Sequence, residues 1–367
     1  MRIIYFSFLS IFLSIASVLP LYGQFPTEGY NLNNPTFLDS TVADYDIFLN
    51  SEVHLRQANG PRKKKMIEYL ARKNSVDVII LERGYHFGYW VNCFLETGDS
   101  LLLKEYLNVN DFFSTINGKV VDNEYKFYRW LRQFNLTNNL TIRVEALDVA
   151  TLWDEKPIVW TFLKFTQRNP ELKKQLPESV EKAQRFMQKK NLGKFRMINW
   201  VKDLVKTCDK LEIDNQDFLD FVFNLNQSIP WAWKTDYDVR DQLVADNFRK
   251  YVKKGEKVYG QFGFGHILIH ESDRNFFRSF ASILNQDKYY KGKILSAGLV
   301  WIGCDPDSKE NPGEVHGADI FKPFLTQEEF DRLKPEFLKL PSNTFVDLRD
   351  TDEKIKDYCQ LLLIEID

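Results

Sequence analysis

Four apolar, strand-like segments of the sequence each end in residues that can carry out acid–base chemistry. These residues are Glu52 and His54, Glu82 and Arg83, Asp148, and His266. A carboxylate can orient and polarise a histidine that removes a proton from water. Two histidines and a glutamate can instead hold a divalent metal that acidifies bound water. Both arrangements lead to hydrolysis, so the sequence points to a hydrolase.

Each of these residues also has an ordinary explanation. A strand-end acid is often a helix cap, and a single histidine is often a hydrogen-bonded structural residue. All of them follow predicted strands, and this favours a functional site over separate structural roles. Ligands of open α/β sheets bind where loops leave the carboxyl ends of the strands. The sequence has no GxSxG elbow, HExxH helix, Walker loop or GxGxxG after a strand. The nucleophilic-serine, zincin, nucleotide and dinucleotide hypotheses therefore lose their main support.

The elements that must position these residues follow an α/β pattern. After an irregular lead-in over residues 24–41, an extended apolar segment, an amphipathic helix and the Val/Ile run at 76–81 form a β-α-β opening. Such continuous apolar strands are buried on both faces, which indicates a mostly parallel central sheet flanked by helices. We predict a single α/β domain over residues 42–367, with a helical insertion at about residues 153–254.

The first 23 residues have the pattern of a secretory signal peptide, with Arg2 at the start, an apolar middle and Gly23 before the expected cleavage. We therefore expect export to the periplasm or the extracellular space, with no transmembrane segment in the mature chain. In an oxidising compartment Cys304 and Cys359 could pair, although four scattered cysteines do not define the fold.

The composition excludes several classes of protein. Apolar residues make up 44% of the chain and aromatic residues 15%, which rules out a disordered, collagenous or coiled-coil protein. The 49 basic and 51 acidic side chains nearly cancel. This balance gives no electrostatic footprint for a phosphate backbone, so we expect no nucleic-acid partner.

Taken in order, the motifs resemble a superfamily that contains erythromycin esterases, haem-binding ChaN proteins and TIKI/TraB metal-dependent proteases. Members carry Gly-Glu-x-His after a strand, a strand ending in Glu, a helix with Trp-x-Arg and Phe-Asn, a strand ending in Asp, and Gly-x-x-His after a helical insertion. The matching positions here are Glu52 and His54, Glu82, Trp130 and Arg132, Phe134 and Asn135, Asp148, and Gly263 and His266. The resemblance implies an erythromycin esterase/ChaN-like fold.

The resemblance also implies roles for these residues. In the first hypothesis, His54 activates water for attack on an ester or amide of a small molecule or peptide, and Glu52 and Glu82 orient and polarise it. His266 and Arg132 stabilise the developing oxyanion or bind the substrate. Arg132, Asp148 and Arg83 are then the substrate-binding residues. Ser51 stands where the superfamily usually has glycine. The spacing from Glu52 to His54 matches the ChaN and TIKI pattern, whereas the erythromycin esterases carry one more residue there.

Two alternatives to metal-independent hydrolysis stay open at this point. In the first, His54, Glu82 and His266 hold a divalent metal, either in a peptidase or in a binding site. In the second, which follows from the ChaN branch, the chain is a non-catalytic metal- or haem-binding protein. The cofactor is otherwise unspecified.

Three further histidines are weighed against this site. His270 lies four residues after His266 and would share its face on a helix. His316 belongs to Gly313-Glu314-Val315-His316, which repeats the first motif within a polar loop. His86 follows Glu82 closely, and a structural role is favoured for it. We keep His270 and His316 as secondary candidates.

Overall fold

The structure is a computed structural model of the chain. The predicted signal peptide, His54, Cys304 and His316 lie outside the residues that it describes. The described residues are 29–33, 35–52, 59–73, 75–109, 119–150, 155–189, 193–234, 236–271, 277–303, 319, 321, 324–351 and 354–366.

One sheet runs through the described residues. Its strands are β1 Gly29–Asn31, β2 Ile47–Glu52, β3 Val78–Gly84, β4 Arg143–Asp148, β5 Val258–Gly263, β6 Ile294–Ile302, β7 Thr344–Asp347 and β8 Leu361–Ile366. They are ordered β1-β7-β8-β6-β2-β5-β3-β4. The pairs formed by β7 are antiparallel, and every pair from β8 to β4 is parallel. The prediction of a mostly parallel sheet is confirmed.

Helices cover this sheet. Those in the described part of the chain are α1 Asn59–Arg72, α2 Tyr85–Thr97, α3 Ser100–Val109, α4 Lys119–Asn138, α5 Glu155–Arg168, α6 Pro170–Gln175, α7 Pro177–Met187, α8 Lys194–Cys208, α9 Gln216–Lys234, α10 Tyr237–Tyr251, α11 Phe280–Asn285 and α12 Gln327–Phe337. Helices α5 to α10 fall between β4 and β5, where the sequence pattern is helical. None of the described helices is both long and apolar enough to cross a bilayer.

The strands are buried on both faces because alternate side chains enter two different cores. Phe48 of β2 packs in one core with residues of α1 to α4, such as Ile67 and Trp90. Leu49 points to the other face and packs in a second core with α10, α11 and α12. Helices α5 to α9 have a core of their own, which includes Phe162, Trp200 and Phe221. The sheet is therefore a rigid central layer between helices.

Helix α2 lies directly against the edge strand β4. The Asn92 side chain donates to the Val144 carbonyl at 2.7 Å and accepts from the Val144 N–H at 2.9 Å, so it pairs backbone groups of the edge strand. Gly88 allows the close approach, because a Cβ placed there would lie 2.8 Å from the backbone nitrogen of Ala146. This contact fixes the helix that begins immediately after Glu82 and Arg83.

The carboxyl ends of β2, β5, β3 and β4 lie side by side along one edge of the sheet. Near that edge the pairing of β3 with β4 shifts, from Leu81 opposite Ala146 to Gly84 opposite Asp148. Three steps on β3 thus match two steps on β4, which is a β-bulge at Glu82 and Arg83. Bulges bend a strand and redirect its side chains, and they are frequent next to functional sites.

Candidate functional site

Side chains from the ends of β3 and β4 surround the guanidinium of Arg240, which projects from α10. Its Nε donates to Asp148 Oδ1 at 2.9 Å, and its Nη2 donates to Glu82 Oε1 at 2.7 Å. Nη2 also contacts Asp148 Oδ2. The Arg240 and Glu82 side chains are each 11% exposed and that of Asp148 is 3% exposed. Charge-assisted, forked hydrogen bonds of this kind hold a guanidinium in one orientation.

His266 lies beside this group, in the 3-10 turn that follows β5. Its Nε2 is 3.3 Å from Glu82 Oε1 and 3.5 Å from Arg240 Nη1. Its Nδ1 is 2.8 Å from Asp241 Oδ1 and 2.9 Å from Asp241 Oδ2. The consecutive residues Arg240 and Asp241 of α10 therefore hold the ends of three strands together.

The charges around His266 decide its protonation state. Burial lowers the pKa of His266, but the carboxylates of Glu82 and Asp241 outweigh that effect and raise it to about 10. Burial also lowers the pKa of Arg240, and Asp148 and Glu82 more than offset it, so that the pKa is raised. His266 is accordingly protonated at neutral pH and lies beside the Arg240 guanidinium. A protonated imidazole donates hydrogen bonds from both nitrogens and cannot accept a proton.

Glu82 also joins the end of β3 to the end of β5. Its Oε2 accepts a hydrogen bond from the Gly263 N–H at 2.9 Å. Gly263 is in register with Glu52 of β2. Glu52 at the end of β2 and Glu82 near the end of β3 therefore lie on the two sides of β5.

Glu52 interacts with a different set of charged groups from that around Arg240. Burial lowers the pKa of Lys63 on α1, while Glu52 and Glu124 oppose that effect. Burial raises the pKa of Tyr259, and Glu52 raises it further. Arg83 donates to Glu124 Oε1 of α4 at 3.0 Å and so belongs to this neighbouring set of charges.

The other residues singled out from the sequence lie elsewhere. Arg132 does not join the cluster, because its guanidinium lies at the end of α2, where a Cβ on Gly98 would be 2.9 Å from Nη2. His270 is exposed, and no helix continues from the His266 turn, so the two do not share a helical face. His86 is buried with its ring 6.1 Å from that of Tyr106, in keeping with a structural role.

Arg240 and Asp241 were missed by the sequence reasoning, which searched strand ends. Their signal lies in the helical periodicity of α10. Asp241 falls on the same face as Val244, Ala245 and Phe248, all of which are buried. A charged residue within an apolar stripe must be paired to be buried there, and this marks it for attention.

The metal hypothesis is not supported by the described residues. No three His, Cys, Asp or Glu side chains among them are arranged to hold a metal ion. The guanidinium of Arg240 occupies the space between Glu82, Asp148 and His266 Nε2, and Nδ1 of His266 is taken by Asp241. A cation bound to Glu82 and His266 would lie against a positive charge. Of the three residues predicted to hold a metal, the structure describes Glu82 and His266, and the guanidinium of Arg240 contacts both.

Comparison with known proteins identifies the fold. No protein-family model matches the chain, and no curated protein matches it. A crystal structure of a Bacillus cereus protein is 14% identical, with 96% of this chain and 97% of that chain covered and a TM-score of 0.59. The erythromycin esterase EreC, in its open conformation, is 11% identical, with 92% and 94% covered and a TM-score of 0.59.

A succinoglycan biosynthesis protein is likewise 11% identical, with 97% of both chains covered and a TM-score of 0.59. At these identities the likeness is one of fold. The chain has the erythromycin esterase-like fold that its motifs predict, with the sheet and the helices of the α/β class.

Proposed function

We propose that this protein is a hydrolase that cleaves an ester or amide bond of a small molecule or peptide, with His54 activating the attacking water. The observation that carries the proposal is the Arg240 and His266 pair, held by Glu82 and Asp148 near the carboxyl ends of neighbouring strands and by Asp241 of α10. The shared fold with an erythromycin esterase supports the same reaction class. Fold alone would not suffice, because one fold can serve many functions.

The protonation state of His266 indicates which residue donates a proton and which accepts one. A ring with a pKa raised to about 10 is a proton donor at neutral pH, so the base must be another group. His54, two residues after Glu52, is the remaining imidazole of the strand-end motifs. In this proposal His54 takes the proton from water, and Glu52 and Glu82 orient the base and the water.

Attack of water on the carbonyl carbon generates a negative oxygen. In the proposal that oxygen meets the guanidinium of Arg240. Donors fixed in advance stabilise such an oxyanion without having to reorganise during the reaction. Asp148 then acts on Arg240 and not on the substrate, because it is 2% exposed and its oxygens are bound by the guanidinium.

Activity on model substrates tests the proposal. The mature chain is assayed with p-nitrophenyl acetate, p-nitrophenyl butyrate and an alanine p-nitroanilide, beside the variants His54→Ala and His266→Gln. Each variant should lower kcat/KM by about 100-fold or more, the usual contribution of a general acid or base. The matched control is His270→Ala, which changes an exposed histidine and should leave turnover unchanged. Full activity of His54→Ala would show that His54 is not the base. An equal loss of kcat/KM in His270→Ala would show that the losses in the other variants are not specific to the site.

Export is proposed on the first 23 residues alone. Expressed in a Gram-negative host with its own amino terminus, the protein should be recovered from the periplasm with Gln24 as its first residue. Recovery of the chain with Met1 intact from the cytoplasm would reject export.

A further inference from the structure

Asp241 holds His266 from the side opposite to Glu82. Its two carboxylate oxygens lie 2.8 and 2.9 Å from Nδ1, whereas Nε2 faces Glu82 and Arg240. The Asp241 side chain is completely buried. Its only reachable partners are therefore protein groups, and a substrate does not contact it.

The Asp241 carboxylate is itself held in place. Oδ2 accepts a hydrogen bond from the Phe280 N–H at 2.6 Å, at the first residue of α11. One and two turns further along α10, Val244 and Phe248 pack in the core on that face of the sheet. Helices α10 and α11 thus hold the Asp241 carboxylate in place, and the carboxylate in turn orients the His266 ring.

This arrangement determines which ring nitrogen is available for chemistry. With Nδ1 committed to Asp241, the nitrogen that points toward the strand ends is Nε2. Among the described residues, the charged groups that face the ring are Glu82 from β3 and Arg240 and Asp241 from α10. The rings of Phe277 and Phe262 lie 5.2 and 6.5 Å from it. The Nε2–H is therefore the proton that His266 can present to a substrate.

We propose that Asp241 is a positioning residue that orients His266 so that Nε2 gives its proton to the leaving group. The inference rests on the proposed hydrolase function. In the step concerned, the bond between the carbonyl carbon and the leaving atom breaks, and its electron pair goes to the leaving atom. That atom takes the proton from Nε2, and His266 becomes neutral imidazole. The proton that His54 removed from water then returns to His266 through solvent, which restores both residues.

A purely structural role predicts different behaviour. If Asp241 only joined α10 to the turn after β5, its loss would lower stability and leave the turnover of the folded molecules unchanged. A positioning role lowers kcat at an almost constant KM, because the substrate does not touch Asp241 while the proton transfer depends on ring geometry.

The kinetic test uses Asp241→Asn and Asp241→Glu with the ester substrates above. The Asn variant should lose about 100-fold in kcat with KM within about 2-fold, since a misoriented imidazole loses the benefit of a positioned donor. The Glu variant keeps the charge but displaces it by one methylene, and should lose only about 10-fold. The control is Asp246→Asn, an exposed carboxylate on the same helix that pairs with Arg249, and it should match the wild type.

An independent readout follows the ring directly. The chain has five histidines, so ring-15N-labelled protein gives a small set of imidazole signals that His266→Gln assigns. In the wild type at neutral pH both His266 nitrogens should carry a proton, with the Nδ1–H far downfield because of the carboxylate. Asp241→Asn, or Asp241→Glu if the Asn variant does not fold, should move these signals and leave those of the other histidines in place.

The two readouts separate the possible failures. Unchanged kcat in folded Asp241 variants of an active enzyme overturns the positioning role. Unchanged His266 signals overturn it as well, whether or not any ester is hydrolysed. Shifted signals in a protein without esterase or amidase activity support the Asp241 contact and reject the hydrolase proposal on which the catalytic part rests.

Discussion

Nδ1 of His266 lies 2.8 Å from Oδ1 of Asp241, and this contact joins the turn after β5 to helix α10. Because Arg240 is the neighbouring residue on that helix, the same turn of α10 also binds the ends of β3 and β4. The acidic ends of the strands and the basic group between them are therefore parts of one structural unit. Changes in α10 should affect both the stability of the fold and the chemistry of the site.

The first prediction concerns the pH dependence of stability. The pKa of His266 is raised from 6.5 to about 10 on folding, so the folded state binds more protons than the unfolded state between these values. The stabilisation is complete below about pH 6.5 and is lost as the pH rises toward 10, at up to about 1.4 kcal/mol per pH unit. Urea unfolding at pH 7, 8 and 9 should show this slope, and His266→Gln should flatten it. Parallel curves for the two proteins would contradict the assignment.

Removal of Arg240 should destabilise the fold strongly. Arg240→Ala leaves Glu82 and Asp148 buried without this counter-ion, and breaking such a pair costs about 3–5 kcal/mol. Arg249→Ala on the same helix is the control, because its side chain is 33% exposed and its loss should cost less than about 1 kcal/mol. Guanidinium denaturation midpoints measure both. Equal midpoints for the two variants would show that the Arg240 ion pairs are energetically minor.

Asn224 should be a third sensitive position, since it joins α9 to the site. Its Nδ2 donates to the Asp148 carbonyl at 2.9 Å, and its Oδ1 accepts from the Tyr85 N–H at 3.2 Å. Asn224→Ala leaves these backbone groups without their partner, and should cost about 2 kcal/mol. The exposed Asn226 of the same helix provides the control Asn226→Ala, which should melt within about 1 °C of the wild type. Thermal melting followed by circular dichroism would reveal the difference.

The glycine at position 88 should not tolerate a side chain. Gly88→Ala places a methyl group 2.8 Å from the Ala146 nitrogen and should cost about 1–3 kcal/mol by overpacking α2 against β4. Gly60 is also helical, but a methyl group there would meet no other described segment of the chain within 4 Å, so Gly60→Ala should stabilise by about 0.5 kcal/mol. The midpoint of urea unfolding should therefore fall in Gly88→Ala and rise in Gly60→Ala. A neutral Gly88→Ala would mean that α2 can move away from β4.

The positions of Glu82, Asp148 and His266 could be predicted because each follows an apolar run that reads as a buried parallel strand. Parallel strands bring their carboxyl ends to one edge of the sheet. These three side chains could therefore be expected at the same edge without knowledge of the strand order. The bulge at Glu82 and Arg83 could not be read in the same way. It depends on the pairing register with β4, which local composition does not encode.

The location of Arg132 could not be predicted from the sequence. Its motif on α4 resembles that of the superfamily. A helix can dock at many positions along a sheet, however, and hydrophobic periodicity does not determine which of these positions it takes. The structure places Arg132 against Gly98, and the basic group of the cluster comes from α10 instead. Tertiary docking of helices therefore decided which arginine reaches the carboxylates.

The sheet order has a consequence for biosynthesis. Strand β5 lies between β2 and β3, yet about 200 residues separate β2 from β5 along the chain. At about 5–20 residues per second, a ribosome takes roughly 10 to 40 s to make that stretch. Until β5 emerges, the inner edges of β2 and β3 lack their partner, and pairings this distant in sequence form slowly. The nascent chain should thus need chaperone protection during that time at the strands that carry Glu52 and Glu82.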